Sequence, residues 1–319
     1  MGAVAERLYY GSAELEFTAK VADIRLDSTA QNEAGEKSQL WQVALDRTAF
    51  YPTSGGQPFD TGVLVATSRS GSTLEVPVER VEEDDAGEVW HYVRKPLIAD
   101  TEVTGFVDAP RRQDHEQQHS GQHLLSAMFW RELGAQTVSF HLGLLHEGQG
   151  SSTIDLMLRD GMERISEEDL QRVEAAANRV VTEGRPFMSH WIQPEMAQLM
   201  LDRGDLRKIP ERFLTVDAGP LRIVQMQGIE FNACGGTHVA NTGTIGAIAL
   251  RRVEKVKRGW RVEFCCGLRA VRAARWDYEL LDGVARSLSV GAKDVPARVE
   301  KLLIDAKAAA KELKALPRS

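Results

Sequence analysis

Asp108-Ala-Pro-Arg111-Arg112-Gln-Asp-His115-Glu-Gln-Gln-His119-Ser-Gly-Gln-His123-Leu-Leu125 is the stretch where the chain changes character. An Asp cap with Pro in the first turn starts a helix, and no further Pro intervenes from Arg111 to about Leu133, although Gly121 sits inside. Upstream, apolar residues alternate: Leu15, Phe17, Ala19 and Val21; Trp41, Val43 and Leu45; Leu74, Val76 and Val78; Val89, His91 and Val93. Period-two alternation broken by Gly, Pro and Asp is the signature of half-buried strands, and several short runs predict a small antiparallel barrel or sandwich. Downstream, strand-like runs at 137–142, 151–158, 185–192, 213–217, 221–227, 244–256 and 260–266 surround a helix between Ser166 and Gly184. Without a steady βαβ beat this is an α+β pattern. From about residue 270 the tail reads as helical. Val295, Val299, Leu302, Ala306, Ala309, Leu313 and Leu316 keep a 4-3 seam, and Pro317 ends it. That helix either docks on its own domain or pairs with a second copy as a homodimer. The expected divisions are 1–109, 110–270 and 271–319.

At 319 residues, 43% hydrophobic and 27% charged, the chain is globular and long enough for about two ordinary cores. Its net charge of −7 argues against a protein that coats nucleic acid or an acidic membrane by charge alone. The charge is uneven: −10 over residues 1–110, zero over 111–270 and +3 over 271–319. Between Arg251 and Arg261 stand six basic residues and one acidic, Glu254. With Arg111 and Arg112, the cations Arg258 and Arg261 are candidates for phosphate contact, the alternative being a solvated hairpin. No aromatic-interleaved platform for single strands stands in the sequence. Three cysteines exclude a disulfide framework; with no export signal, the expected home is a reducing cytoplasm. The longest uncharged run, Phe231 to Leu250, is rich in Gly, Asn and Thr and is no membrane span.

Three histidines at 115, 119 and 123 lie one turn apart. Residues four apart share a helix face, the reach needed to chelate one ion, but eight residues span roughly 12 Å, so one pair serves and one histidine is left over. The second half is Cys234-Gly-Gly-Thr-His238, a thiolate and an imidazole on a turn that two glycines make tight. Two histidines from a helix plus Cys and His from a loop would complete a tetrahedral zinc site. Because Ser120 follows His119, the glutamate of a His-Glu-x-x-His metalloprotease is not expected there. His91, His115, His146 and His190 read as ordinary core or surface imidazoles.

His119-Ser-Gly-Gln-His123 with Cys234-Gly-Gly-Thr-His238 resembles the HxxxH and CxxxH zinc motifs of alanyl-tRNA synthetase editing domains and of the stand-alone alanyl-tRNA editing proteins of AlaX type. Phe50-Tyr-Pro-Thr-Ser-Gly55-Gly56-Gln57-Pro-Phe-Asp60-Thr-Gly62 is similar to the glycine-rich segment of that family's N-terminal barrel. Asn241-Thr-Gly243-Thr-Ile-Gly246 and Gly259-Trp-Arg261-Val-Glu263 match the region after the zinc motif. The resemblance covers roughly residues 10–275. It implies a barrel, an α+β editing domain, Zn2+ held by His119, His123, Cys234 and His238, and a mischarged tRNA as partner. The implied activity is hydrolysis of the ester linking serine or glycine to alanine tRNA. The lack of an aminoacylation domain ahead of the barrel points to a free-standing editor, and the stop at Ser319 to a short or truncated form. The family's usual insert is Thr-Ala-Thr, where this chain has Ser120-Gly121-Gln122.

Such an ester is already activated, so the site need only position a water and stabilise an oxyanion. Zinc would lower the water's pKa, polarise the carbonyl or hold the substrate amine; four protein ligands favour a structural or anchoring metal. Beyond the metal and a bound water the sequence names no catalytic group. Gly55, Gly56 and Gln57 are candidates to present backbone and amide to a small amino acid, against a plain hairpin turn. Gln122 is a candidate for a substrate contact, and Thr153 and Asp155, on one face of 151–158, are candidates to line the pocket near His141, against satisfied structural residues. The alternatives are deacylation of seryl-tRNA for threonine, against which the barrel's glycine segment argues, and a non-catalytic tRNA-binding module with structural zinc.

Overall fold

The computed structural model describes residues 4–11, 14–31, 37–68, 71–144, 150–210 and 219–315. The chain divides into two compact units, Met1–Arg269 and Ala270–Ser319. The first unit begins with β1 (Glu6–Arg7), β2 (Glu16–Gln31), β3 (Lys37–Leu45), β4 (Arg47–Thr48), β5 (Gly62–Thr67), β6 (Thr73–Glu83), β7 (Val89–Val93) and β8 (Glu102–Val107). Six of these close an antiparallel barrel in the order β2-β3-β7-β6-β5-β8, and β1 pairs with β4. Of barrel and sandwich, the structure is the barrel.

Alternation explains the closure. Phe17, Ala19 and Val21, Val43 and Leu45, Leu64, Val76 and Val78, Val93 and Val103 all point inward and are buried. At Gly105 a side chain would meet the Phe17 ring at 2.4 Å, so the position stays bare. β7 is buried on both faces. Its outward Trp90 and Tyr92 are capped by the guanidinium groups of Arg25 and Arg80, each 3.8 Å from a ring centre.

Helix α1 (Ala109–Leu133) leaves the barrel directly. The Asp108 carboxylate accepts from the Arg111 N–H at 3.1 Å, Pro110 sits in the first turn, and Gly134 ends the helix at φ +65°. α1 runs through the interior rather than over the surface, so its polar residues need internal partners. The Gln118 amide pairs with both the N–H and C=O of Cys266 (2.9 and 3.0 Å). At Gly121 a Cβ would meet the Cys266 sulfur at 2.2 Å, which accounts for a glycine inside a helix.

Around α1 stand β9 (Gln136–His141), β10 (Ser152–Met157), α2 (Glu167–Glu183), β11 (Phe187–Ile192), α3 (Pro194–Asp202), β12 (Leu221–Met226), β13 (Glu230–Ala233), β14 (Ile248–Val256) and β15 (Gly259–Cys266). They form a four-stranded sheet, β14-β15-β10-β9, and a three-stranded sheet, β11-β12-β13. Leu124, Leu125 and Phe129 of α1 share a core with Ile154, Val173, Val262 and Phe264. The result is the α+β class. α3 was not among the sequence expectations, and the strand expected at 213–217, His146 and Pro317 lie outside the described residues.

The tail holds two helices, α4 (Leu268–Leu288) and α5 (Val295–Ala315), rather than one. The break contains Ser289 at φ +53°. Val299, Leu302 and Leu313 of the expected seam are exposed. No helix among the described residues is long and apolar enough to cross a membrane.

Candidate metal centre

His119 and His123 rise from one face of α1, and Cys234 and His238 stand on the turn that follows β13. One ligand atom from each lies within 4.8 Å of all the others. Cys234 Sγ is 3.4 Å from His119 Nε2 and 3.3 Å from His238 Nε2. A zinc ion with Zn–N of about 2.0–2.1 Å and Zn–S of about 2.3 Å puts tetrahedral N···S edges near 3.5 Å, so these spacings and this donor set fit the ion.

Two of the three imidazoles are aimed by a hydrogen bond at their other nitrogen. Gln57, on the glycine-rich loop of the barrel, accepts the Thr237 backbone N–H at 3.0 Å through its amide oxygen. A backbone N–H only donates, so that atom is oxygen, and the His119 Nδ1 lying 2.8 Å from it must carry its proton. The lone pair of His119 is therefore on Nε2, facing the cluster. His238 Nδ1 lies 3.3 Å from Ser120 Oγ, which also accepts the Val239 N–H. His123 Nδ1 is 3.7 Å from the Glu230 carboxylate, itself paired with Arg207. Partners of this kind fix ligand tautomer and orientation.

Burial raises the Cys234 pKa, but His119 and His238 outweigh it and hold the thiol well below its ordinary value. Burial, then His119, pushes His238 down to about 3, so its imidazole is neutral. A thiolate and neutral imidazoles are the protonation states that bind metal. The turn is tight of necessity: a Cβ on Gly236 would stand 2.1 Å from His119 Cε1. Arg222 of β12 ties it down, donating to the carbonyls of Cys234 (3.0 Å) and Gly236 (2.8 Å). Phe187 of β11 stacks on His238, with ring centres 5.6 Å apart and planes at 11°.

His115-Glu116-Gln-Gln-His119 itself spells His-Glu-x-x-His, which the exclusion argued from Ser120 passes over. The structure separates that pair. His115 is 2% exposed, its Nδ1 lies 3.9 Å from Asp60 of the barrel, and it stands outside the four-residue group. His91 is likewise a core residue, and His190 is a surface one.

Several candidates stand elsewhere than expected. Gln57 is fully buried with its amide committed to His119 and Thr237, which occupies the atoms expected to face a substrate. Gly55 and Gly56 turn the loop at φ +56° and +83°, and Gly56 abuts the Phe140 ring. Gln122 is buried; its Nε2 donates to Ser126 Oγ at 2.8 Å and its oxygen has no partner. Thr153 pairs across to His141 and Glu263 on the face of β10 opposite to Ile154, hence turned away from α1. Arg112 is a correction. At 3% exposure it bonds Asp60 and Ala49 inside the barrel junction and presents no charge to a phosphate. Arg261 holds Asp155 through two bonds of 2.8 and 3.0 Å. Arg111 is half-buried and donates to Phe59 O at 2.9 Å, whereas Arg258 is exposed at the β14–β15 turn. Thr237, Glu230, Arg222 and Phe187 carry no local signal that spacing or periodicity reads. A hollow of about 460 Å³ on the barrel wall, lined by residues such as Lys20, Arg47 and Glu102, contains none of the cluster.

A closed barrel, a buried helix carrying two histidines and a Cys-x-x-x-His turn define a barrel-plus-α+β protein with a candidate metal centre. The family description "Threonyl and Alanyl tRNA synthetase second additional domain" matches residues 221–263, and "tRNA synthetases class II (A)" matches residues 2–111. The alanyl-tRNA editing protein AlaX-M of Methanosarcina acetivorans is 33% identical over 226 residues, covering 70% of this chain and 87% of that protein. AlaX-L of Pyrococcus horikoshii is 32% identical, covering 84% of this chain and 59% of that protein. The alanine–tRNA ligase of Pyrococcus furiosus is 33% identical over 97% of this chain. The chain spans about a third of that ligase's length, 31%. The chain belongs to the alanyl-tRNA editing protein family.

Proposed function

We propose that this chain is a trans-editing deacylase that hydrolyses the ester of serine or glycine wrongly attached to alanine tRNA. The observation that carries the reading is the His119, His123, Cys234 and His238 group, with His119 and His238 oriented from behind by Gln57 and Ser120 and His123 lying near the Glu230 carboxylate. The AlaX relatives are alanyl-tRNA editing proteins, which supplies the substrate class of this reading. The metal of this reading is zinc, and bound there it supplies a fixed positive charge that polarises or anchors the polar groups of the aminoacyl end. The residues do the rest by position. The half-buried rings of Phe140 and Phe187 pack against His119 and His238 and limit water there, and the Gln122 oxygen is a buried acceptor on α1 without a partner. An activated ester asks little more than an oriented water and stabilised charge, which suits a site without a strong general base.

In the same reading, residues 1–109 are the barrel domain, 110–270 the editing domain and 271–319 a helical segment through which a homodimer forms. Arg258, with its exposed neighbours Lys255 and Lys257, meets tRNA phosphates, and Arg111 is a separate candidate contact at the start of α1. Three free thiols support a reducing, cytoplasmic location in this reading. The test is release of serine and glycine from mischarged alanine tRNA, with seryl-tRNA for threonine alongside. Turnover on the alanine tRNA that vanishes in Cys234→Ala supports the deacylase. Turnover retained in that variant with zinc still bound sinks the metal's role, and no turnover on any mischarged tRNA supports a binding module.

A further inference from the structure

Trp191 is 55% exposed and sits on β11 directly opposite Arg222 of β12. Directly opposed residues of an antiparallel pair share a face. That face also carries Phe187, which stacks on His238, and Arg222, which holds the Cys234 and Gly236 carbonyls. It is therefore a wall of the metal centre, and Trp191 is the wall's open margin on an edge strand. Tyr10 closes the corner. Its ring centre is 5.6 Å from that of Trp191 at 77°, the Arg222 guanidinium lies 5.1 Å from it, and its hydroxyl is 3.6 Å from where a Gly235 side chain would begin. Trp191 is thus braced edge-on while most of the indole stays open. Arg222 is buried behind Tyr10, holds the turn carbonyls and faces the Cys234 thiol, so it fixes the wall from inside.

We propose that Trp191, braced by Tyr10, is a stacking platform for the terminal unpaired base of the tRNA acceptor end. The inference rests on the deacylase reading, because an aminoacyl ester is carried on the sugar of the terminal nucleotide. Bringing the ester to the cluster brings that nucleotide's base along the adjoining wall. Every base has a π-face, and an exposed indole held edge-on by a second ring suits a single-stranded end without demanding one sequence. Residues 10, 191 and 222 are far apart in the chain, so the platform exists only in the fold.

The probe is an uncharged RNA acceptor hairpin with an unpaired 3′ end, and the readout is binding by fluorescence anisotropy at fixed salt. Trp191→Ala is expected to weaken binding on the order of ten-fold, and Trp191→Phe to keep it within about three-fold of the parent. A hairpin lacking the terminal base should bind the parent as weakly as Trp191→Ala binds the intact one, with no further loss in the variant. Equal affinity of parent and Trp191→Ala, equal losses on both hairpins, or no measurable binding by the parent overturns the platform. Serine release by the parent is measured in parallel. Its absence, with the stacking pattern present, overturns the deacylase reading and not the platform.

Discussion

Gln57→Leu removes three hydrogen bonds from a fully buried side chain while nearly conserving its shape. The lost partners are His119 Nδ1 at 2.8 Å, the Thr237 N–H at 3.0 Å and Thr237 Oγ1 at 2.8 Å. At roughly 1 kcal/mol net per bond, and about 1–3 kcal/mol for a stranded buried donor, the fold should lose about 3 kcal/mol. Metal affinity should fall separately, since outer partners of a ligating histidine are worth about 10–100-fold. Urea unfolding of the metal-free protein measures the first effect as a lower midpoint at unchanged slope. Competition against a chromophoric chelator measures the second. Gln57→Glu discriminates between them: a carboxylate still accepts from His119 and from the Thr237 N–H, so affinity should remain near that of the parent. An affinity in Gln57→Leu within about two-fold of the parent, against the ~10-fold minimum, would refute the positioning role. So would a Glu variant as weak as the Leu variant.

Gly236→Ala should abolish metal binding, because its Cβ meets His119 at 2.1 Å, whereas Gly235→Ala, with only the Tyr10 hydroxyl at 3.6 Å, should bind normally by the same competition assay. Arg112→Met should cost about 3–5 kcal/mol in urea unfolding by stranding the Asp60 charge, with much of it recovered in Arg112→Met/Asp60→Asn, and should leave the salt dependence of tRNA binding unchanged. His91 is fully buried between Thr48 Oγ1 (2.8 Å) and the Val43 carbonyl (2.9 Å), and burial pushes its pKa down to about 4. A depressed folded pKa means the unfolded chain binds the proton better. The contribution is therefore complete above 6.5 and lost as pH falls toward 4, about 3 kcal/mol in all. His91→Gln should flatten that part of the urea-midpoint profile, and an unchanged acid slope would refute the assignment.

Strands and caps are legible because they obey local periods. Phe17, Ala19 and Val21 alternate and face the barrel interior, and Asp108, Pro110 and Gly134 bound α1. The geometry of the four-residue cluster follows the His119/His123 and Cys234/His238 spacings. What periodicity does not carry is which way a polar residue turns once its element is buried. Arg112 reads as a surface cation, but α1 is enclosed, and the guanidinium turns to Asp60 in another element. Gln57 reads as a substrate contact because glycines precede it, yet its partners lie 62 and 180 residues away. Thr153 stands beside His141 as expected, but alternation gives β10 two faces without saying which one meets α1.

The turn bearing Cys234 lies 115 residues beyond His119, while Gln57 lies before both. A chain made from its N-terminus therefore completes the barrel and α1 long before the last two ligands emerge. At about 5–20 residues per second the wait is roughly 6–23 s. Through that interval Thr237, whose N–H and hydroxyl fix the Gln57 amide, is missing too, so His119 faces a half-empty coordination sphere with its orienting partner not yet locked. Two imidazoles on a helix hold a metal ion weakly, and capture becomes tight only when the thiolate arrives. The order of synthesis thus selects against early, promiscuous loading by whatever cation is at hand.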